Sequence, residues 1–229
     1  MTADLHRLSR LAALDTNTVS DALDFLNLPG ATVGLRPLWD CPRIVGRAST
    51  IQLAPKQVDG ELTVHPITSV IAQSQGDDRI LVIAGGIEGI SCWGDIVANA
   101  ARMKHIRGSV LDGYSRDIAG SEEIGYPVYG RGVTMVSARN RLVQTSVGEP
   151  VVVAGVKVAQ DDFVIADRCG SVFIAAAHID DVLDIAERTA SKQAGMVSRI
   201  RAGQSVAEAM HDRNFAAVMD ERAAELPSR

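Results

Sequence analysis

Gly94-Asp95 and Arg116-Asp117, separated by twenty intervening residues, are the parts of this chain best suited to chemistry. Asp95 belongs to the first turn of a predicted helix that begins at Gly94, where a carboxylate is favoured by the helix dipole and by open backbone amides. That helix leads into the apolar strand Ser109-Val-Leu-Asp112, whose following turn carries Arg116 and Asp117. Asp117 binding a divalent cation directly, with Asp95 holding it through water, follows the habit of Mg²⁺: few carboxylates, several waters, all-oxygen ligands. A small 2-oxo acid would complete the shell, its carboxylate held at the helix start by Gly94, Asp95 and the Ile96 and Val97 amides. Arg116 would contact the substrate and offset charge growing on the keto oxygen as a carbon–carbon bond breaks. Simpler roles stay open for each group. Either aspartate also reads as a helix cap, and Arg116-Asp117 as a surface ion pair contributing about 0–1 kcal/mol.

The elements that must position these residues read as α/β. Arg43–Leu53 has strand composition, a helical stretch covers Ile67–Gln75, and Arg79–Ala84 is an apolar run typical of a strand buried on both faces. A capping box over Thr18–Asp21 predicts a helix that Leu28-Pro-Gly30 stops. After the central segment come a short helix following Asp117 and a strand near Tyr126–Tyr129. From Pro150 the pattern becomes β-rich: Val151–Ala154, Gly155–Val158, Phe163–Ala166 and Ser171–Ala175. His178–Ile200 is a long amphipathic helix, and a shorter one is expected around Val206–Met219, before the polar segment 220–229. With no internal repeat or low-complexity linker, residues 1–229 read as a single domain with a C-terminal helical arm from about 178 to 229.

A net charge of −5 without a basic tract argues against nucleic acid as a direct ligand. No signal core or membrane-length apolar run is present, so the expected location is the cytoplasm. Cys41, Cys92 and Cys169 are scattered and suit neither a disulfide framework nor a zinc site. The loop Gly85-Gly-Ile-Glu-Gly89 lacks the spacing of a dinucleotide loop. A Schiff-base route would need a buried lysine, and Lys157, in an apolar strand, is expected to face outward. His105 suits a helix C-terminus, whereas Ser115 and Cys92 lie near enough in sequence to line the pocket.

At these residues the chain resembles the metal-dependent 4-hydroxy-4-methyl-2-oxoglutarate / 4-carboxy-4-hydroxy-2-oxoadipate aldolases, a family that also holds the regulator of ribonuclease activity A. The likeness covers Val19–Leu23, Val45–Thr50, Gly94-Asp95, Asp112-Gly113, Arg116-Asp117, Pro127–Val133, Gly155–Val158, Asp162 and Ala166-Asp167. It implies a layered α/β sandwich similar to the swivelling phosphohistidine domain, with helical N- and C-terminal additions. It also implies a homotrimer or hexamer with sites between subunits, and Mg²⁺ or Mn²⁺ as cofactor. The implied activity is retro-aldol cleavage of 4-hydroxy-2-oxo acids to pyruvate, with oxaloacetate decarboxylation; the alternative is a non-catalytic regulator. By resemblance, Asp117 binds the metal, Asp95 reaches it through water, Arg116 contacts substrate, and the Gly85–Gly89 loop borders the pocket. Two positions depart from the family pattern. Gly120 stands where an acid is common, and Gln193 where many enzymes carry a glutamate that reaches the neighbouring subunit's site.

Overall fold

The structure, a computed structural model, describes residues 2–57, 65–74 and 76–211. The chain opens with helices α1 (Thr2–Ala12) and α2 (Thr16–Phe25), then strands β1 (Arg36–Pro37) and β2 (Ile44–Pro55), helix α3 (Thr68–Gln73) and strand β3 (Arg79–Ala84). Strand β4 (Ser91–Trp93), helix α4 (Asp95–Met103), strands β5 (Gly108–Leu111) and β6 (Tyr114–Ser115), and helix α5 (Ile118–Glu123) form the centre. Strands β7 (Val128–Gly130), β8 (Gly132–Val133), β9 (Leu142–Val147), β10 (Val151–Val153), β11 (Val156–Val158), β12 (Phe163–Asp167) and β13 (Gly170–Ile174) follow. Helices α6 (Ile179–Arg201) and α7 (Val206–Ala209) end the described chain.

The main sheet is mixed, in the order β1-β7-β5-β3-β2-β12-β13, with β9 also pairing with β2. Strand β3 lies parallel to both β2 and β5, which accounts for its unbroken apolar run. Strand β2 serves two neighbours on its other edge, β12 along its first half and β9 along its second. The helix-on-sheet layers are present, but the sheet curls into a nearly closed, barrel-like form. Tyr129 on β7 spans the interior, its hydroxyl donating to the Ala166 carbonyl of β12 at 3.1 Å and to Pro42 at 2.9 Å. The β10–β11 hairpin packs Val151, Val153, Val156 and Val158 into the same interior as Tyr129 and Phe173. Helices α1, α2 and α6 cover one outer face; α3 and α4 cover another.

Several local expectations are corrected. The cap of α2 lies three residues before the predicted box: Asp15 accepts from the Thr18 amide, and the helix begins at Thr16. Thr18 and Asp21 are therefore interior helix residues. Helix α1 and strand β9 were not anticipated, and the strand near Tyr126 starts at Val128. The helix expected over Val206–Met219 is described only as Val206–Ala209; residues 212–229 lie outside the described region. Lys157 faces outward on β11, as strand alternation requires. All three cysteines are free thiols, Cys169 exposed and the other two buried. Among the described residues no helix is long and apolar enough to cross a membrane.

Asp167, at the end of β12, ties the sheet to α2. Its carboxylate accepts from the Thr16 amide at 3.0 Å, the Thr16 hydroxyl at 2.7 Å and the Cys169 amide at 2.9 Å. Burial opposes its ionisation, but these bonds and the Arg43 charge outweigh it and hold the carboxyl below its ordinary value. A folded-state value below the unfolded one stabilises the protein above the unfolded pKa and loses that contribution as pH falls through the folded value. Asp167→Ala is thus expected to cost about 1–3 kcal/mol at pH 7. In urea melts the gap to wild type should narrow only below the unfolded carboxylate value of about 3.9.

Candidate active site

The spacing of the central motif has a simple structural cause. Strands β4 and β6 run parallel, with Ser91 opposite Tyr114 and Trp93 opposite Ser115, so both chains leave the small sheet on the same side. Gly94-Asp95 and Arg116-Asp117 are the residues directly after those strand ends, and the Arg116 amide bonds to the Trp93 carbonyl at 3.0 Å. Each exit turns into a helix, α4 capped by Gly94 and α5 by Asp117. Trp93 is fixed from below by stacking on Tyr126, with centroids 5.8 Å apart and planes 15° apart. The Tyr126 hydroxyl in turn meets Ser109 Oγ at 2.9 Å.

Asp117 does not act as an ordinary helix cap. Its backbone is left-handed (φ 54°, ψ 41°), and its side chain makes no capping hydrogen bond. Such a conformation is tolerated by Asp better than by most residues, yet still costs about 1–2 kcal/mol. Its carboxylate instead meets Arg116, with Nε 3.0 Å from Oδ2. Asp95 turns Oδ1 to its own helix start, accepting from the Ile96 amide at 2.7 Å. Each aspartate therefore keeps one carboxylate oxygen that the described residues do not engage. The Ile96 amide, expected to hold a substrate carboxylate, is occupied by Asp95.

Two glycines allow this approach. A Cβ on Gly94 would lie 2.9 Å from Asp117 Oδ2, and one on Gly120 would lie 2.8 Å from Asp95 Cβ. Gly120 thus does more than leave out an acid: any side chain there must displace Asp95. The residues around the carboxylates line a cavity of about 230 Å³ that includes every candidate named from the sequence, Gly94, Asp95, Ile96, Val97, Arg116 and Asp117. That size suits an acid of a few carbons rather than a drug-sized ligand. Among the described residues no three His, Cys, Asp or Glu side chains cluster as a metal cage. Two carboxylates with open oxygens fit a hard cation that keeps much of its water shell, the mode in which Mg²⁺ is commonly held.

His65, Thr68, Ser137 and Arg139 also line the cavity, though no spacing in the sequence pointed to them. His65 and Thr68 come from the start of α3 and the residues just before it, and Ser137 and Arg139 from the stretch before β9, which pairs with β2. The His65 imidazole is held below its ordinary pKa by desolvation at the cavity wall, then by the charges of Arg116 and Arg139. Cys92 and Ser115, by contrast, are fully buried behind the site, with Cys92 Sγ on the Tyr114 carbonyl and Ser115 Oγ on that of Arg116. Burial raises the Cys92 thiol pKa to about 12, so it stays protonated. The Gly85–Gly89 loop is likewise not part of the cavity wall. His105 lies just past the C-terminus of α4, with φ 60°.

Gln193 lies away from the cavity. Its Nε2 donates to Asp21 Oδ2 at 3.1 Å, fastening α6 to α2 within the chain. Burial foremost raises the Asp21 pKa, and the Gln193 bond works against that rise.

A family model described as RraA-like, Aldolase/RraA, matches residues 16–173, well over half of the chain and every residue of the cavity wall. The chain belongs to this family. It is 28% identical over 203 residues to a Halalkalibacterium halodurans protein named "Putative 4-hydroxy-4-methyl-2-oxoglutarate aldolase", covering 87% of this chain and 90% of that one. It is 26% identical over 205 residues to Protein DlpA of Legionella pneumophila, which amounts to 90% of this chain but only 33% of that protein; the chain spans about a third of its length. Among solved structures, Streptomyces coelicolor RraAS2, described as an unusual member of the RNase ES inhibitor RraA protein family, superposes with a TM-score of 0.74 at 24% identity. The match covers 85% of this chain and 96% of that one. This RraA-like family therefore includes proteins named as aldolases and as ribonuclease inhibitors.

Proposed function

We propose that this protein is a divalent-metal-dependent carbon–carbon lyase acting on small 2-oxo acids, with pyruvate as the common product. The observation that carries the reading is the parallel β4–β6 exit, which sets two carboxylates with open oxygens and Arg116 around one small cavity. The relative named as an aldolase supports it at the level of the family. Asp117 would hold Mg²⁺ or Mn²⁺ directly and Asp95 would hold one of its waters. The bound cation would supply Lewis-acid polarisation of the substrate's keto oxygen. Arg116, at the same carboxylate, orients the substrate and offsets negative charge that develops as the carbon–carbon bond breaks. Gly94 keeps the cavity floor free of side-chain bulk, while the open end of α4 favours an anion through its dipole. A trimer or hexamer with this cavity between subunits belongs to the same proposal.

Gln193 bears on which reaction dominates. An amide cannot accept a proton as a glutamate does, and here it is bonded to Asp21. Decarboxylation of oxaloacetate needs no base to remove a hydroxyl proton, whereas retro-aldol cleavage does. The test is pyruvate release from oxaloacetate and from 4-hydroxy-4-methyl-2-oxoglutarate at equal concentration with Mg²⁺. Faster turnover of oxaloacetate is expected. Rapid cleavage of the hydroxy acid with oxaloacetate untouched overturns the argument from Gln193, and turnover of neither acid favours a binding function for the fold.

A further inference from the structure

We propose that the indole N–H of Trp93 is a substrate-orienting donor, hydrogen-bonded to a carboxylate oxygen of the small 2-oxo acid in the cavity. The proposal rests on the lyase reading above and adds a contact that neither the metal nor Arg116 supplies. Trp93 is the last residue of β4, directly before Gly94, and it lines the cavity. It is 1% exposed, and its Nε1 is enclosed by protein yet has no hydrogen-bond partner among the described residues. A buried tryptophan N–H is seldom left in that state, because it has given up its bond to water and gained none in return. Among the described residues, Trp93 is the one that combines an enclosed, unbonded side-chain polar atom with a place in the cavity wall.

The packing of the ring explains why the bond is not made within the protein. The indole stacks on Tyr126 with the two planes only 15° apart. An indole N–H lies in the plane of its ring, so it is directed past the Tyr126 face and cannot use the tyrosine π-cloud as an acceptor. The polar atoms of Tyr126 are engaged elsewhere. Its hydroxyl meets Ser109 Oγ at 2.9 Å, and its carbonyl accepts from Trp39 Nε1 at 3.2 Å. Stacking thus fixes the Trp93 ring without satisfying its donor.

Other donors of the cavity wall already have partners. The Ile96 amide donates to Asp95 Oδ1 at 2.7 Å, Arg116 Nε pairs with Asp117 at 3.0 Å, and the Thr68 hydroxyl donates to the His65 carbonyl at 2.9 Å. Trp93 Nε1–H is enclosed, neutral and uncommitted. An ionised carboxylate is the matching ligand, since it only accepts and displaces no existing bond at this nitrogen. A neutral donor orients the acid without adding to the positive charge of the metal and Arg116.

The experiment is proton–nitrogen correlation spectroscopy of the indole signals of the Mg²⁺-loaded protein, titrated with pyruvate. The chain has two tryptophans, Trp39 and Trp93. Trp93→Phe keeps an aromatic ring against Tyr126 and assigns the Trp93 signal by removing it; Trp39→Phe gives the same assignment should that variant fail to fold. On saturation the Trp93 indole proton is expected to move downfield as it bonds an anionic oxygen, while the Trp39 signal stays in place. Calorimetric titration of Trp93→Phe, with a melting curve to confirm folding, should show pyruvate binding weakened about tenfold. A Trp93 signal that does not move when pyruvate saturates the wild type, or an affinity within about twofold of wild type in folded Trp93→Phe, overturns the proposal and leaves the lyase reading standing. Failure of the Mg²⁺-loaded wild type to bind pyruvate overturns the lyase reading itself and this proposal with it.

Discussion

Asp117→Asn is expected to lower kcat/KM for pyruvate release by about a thousandfold while leaving the fold intact. The magnitude follows from what one atom change removes. Asparagine keeps the shape of the side chain and, like aspartate, tolerates the left-handed backbone at φ 54°. It loses the negative charge that would hold a divalent ion and that now pairs with Arg116 at 3.0 Å. Removing a single electrostatic donor from a preorganised site commonly costs 10²–10³ in rate, and loss of a metal-holding carboxylate acts on several such interactions at once. Asp117→Ala should be as inactive and also less stable, because alanine is poorly suited to the left-handed region. Steady-state kinetics with a melting curve for each variant separates the two effects. Near-normal turnover in Asp117→Asn would remove Asp117 from the proposed metal site.

The second large effect is structural. Gly85 follows β3 with φ 78°, and a Cβ there would lie 2.0 Å from the Leu53 carbonyl oxygen, a backbone atom of β2. Two penalties combine: the left-handed conformation is strained for alanine, and the clash is with main chain that pairs into the sheet and cannot rotate away. Gly85→Ala is expected to destabilise the protein by at least about 3 kcal/mol, within the range reserved for named backbone defects. For a chain of this size that corresponds to a fall of roughly 6–12 °C in Tm. A Tm within about 2 °C of wild type would show that the β2–β3 junction yields far more readily than its geometry implies.

The central motif was legible in the sequence because everything that builds it is local. Two strand exits, each followed by a helix start, lie within Ser91–Ile118, and parallel pairing of β4 with β6 brings them together. Strand β3 was equally plain, since burial on both faces leaves a run of apolar residues with no polar interruption. His65 and Arg139 were not legible. Each is an isolated residue in an irregular stretch, and only the long-range pairing of β9 with β2 places both on one cavity. The start of α2 differs from the sequence expectation for another reason. Thr18 has good capping chemistry, but Asp15 supplies the same oxygen one turn earlier, and Asp167 across the fold takes the Thr16 amide. Gly120 illustrates the remaining gap: sequence reading registers the missing acid, while only the packed structure reveals Asp95 against that glycine.

The most direct test of the account is pyruvate release from oxaloacetate by the wild-type protein, measured above the uncatalysed background after chelation and again after adding Mg²⁺ or Mn²⁺. The account predicts that release falls to background with chelator and returns when the metal is restored. Release that proceeds equally in chelator, or no release with either metal present, would contradict it.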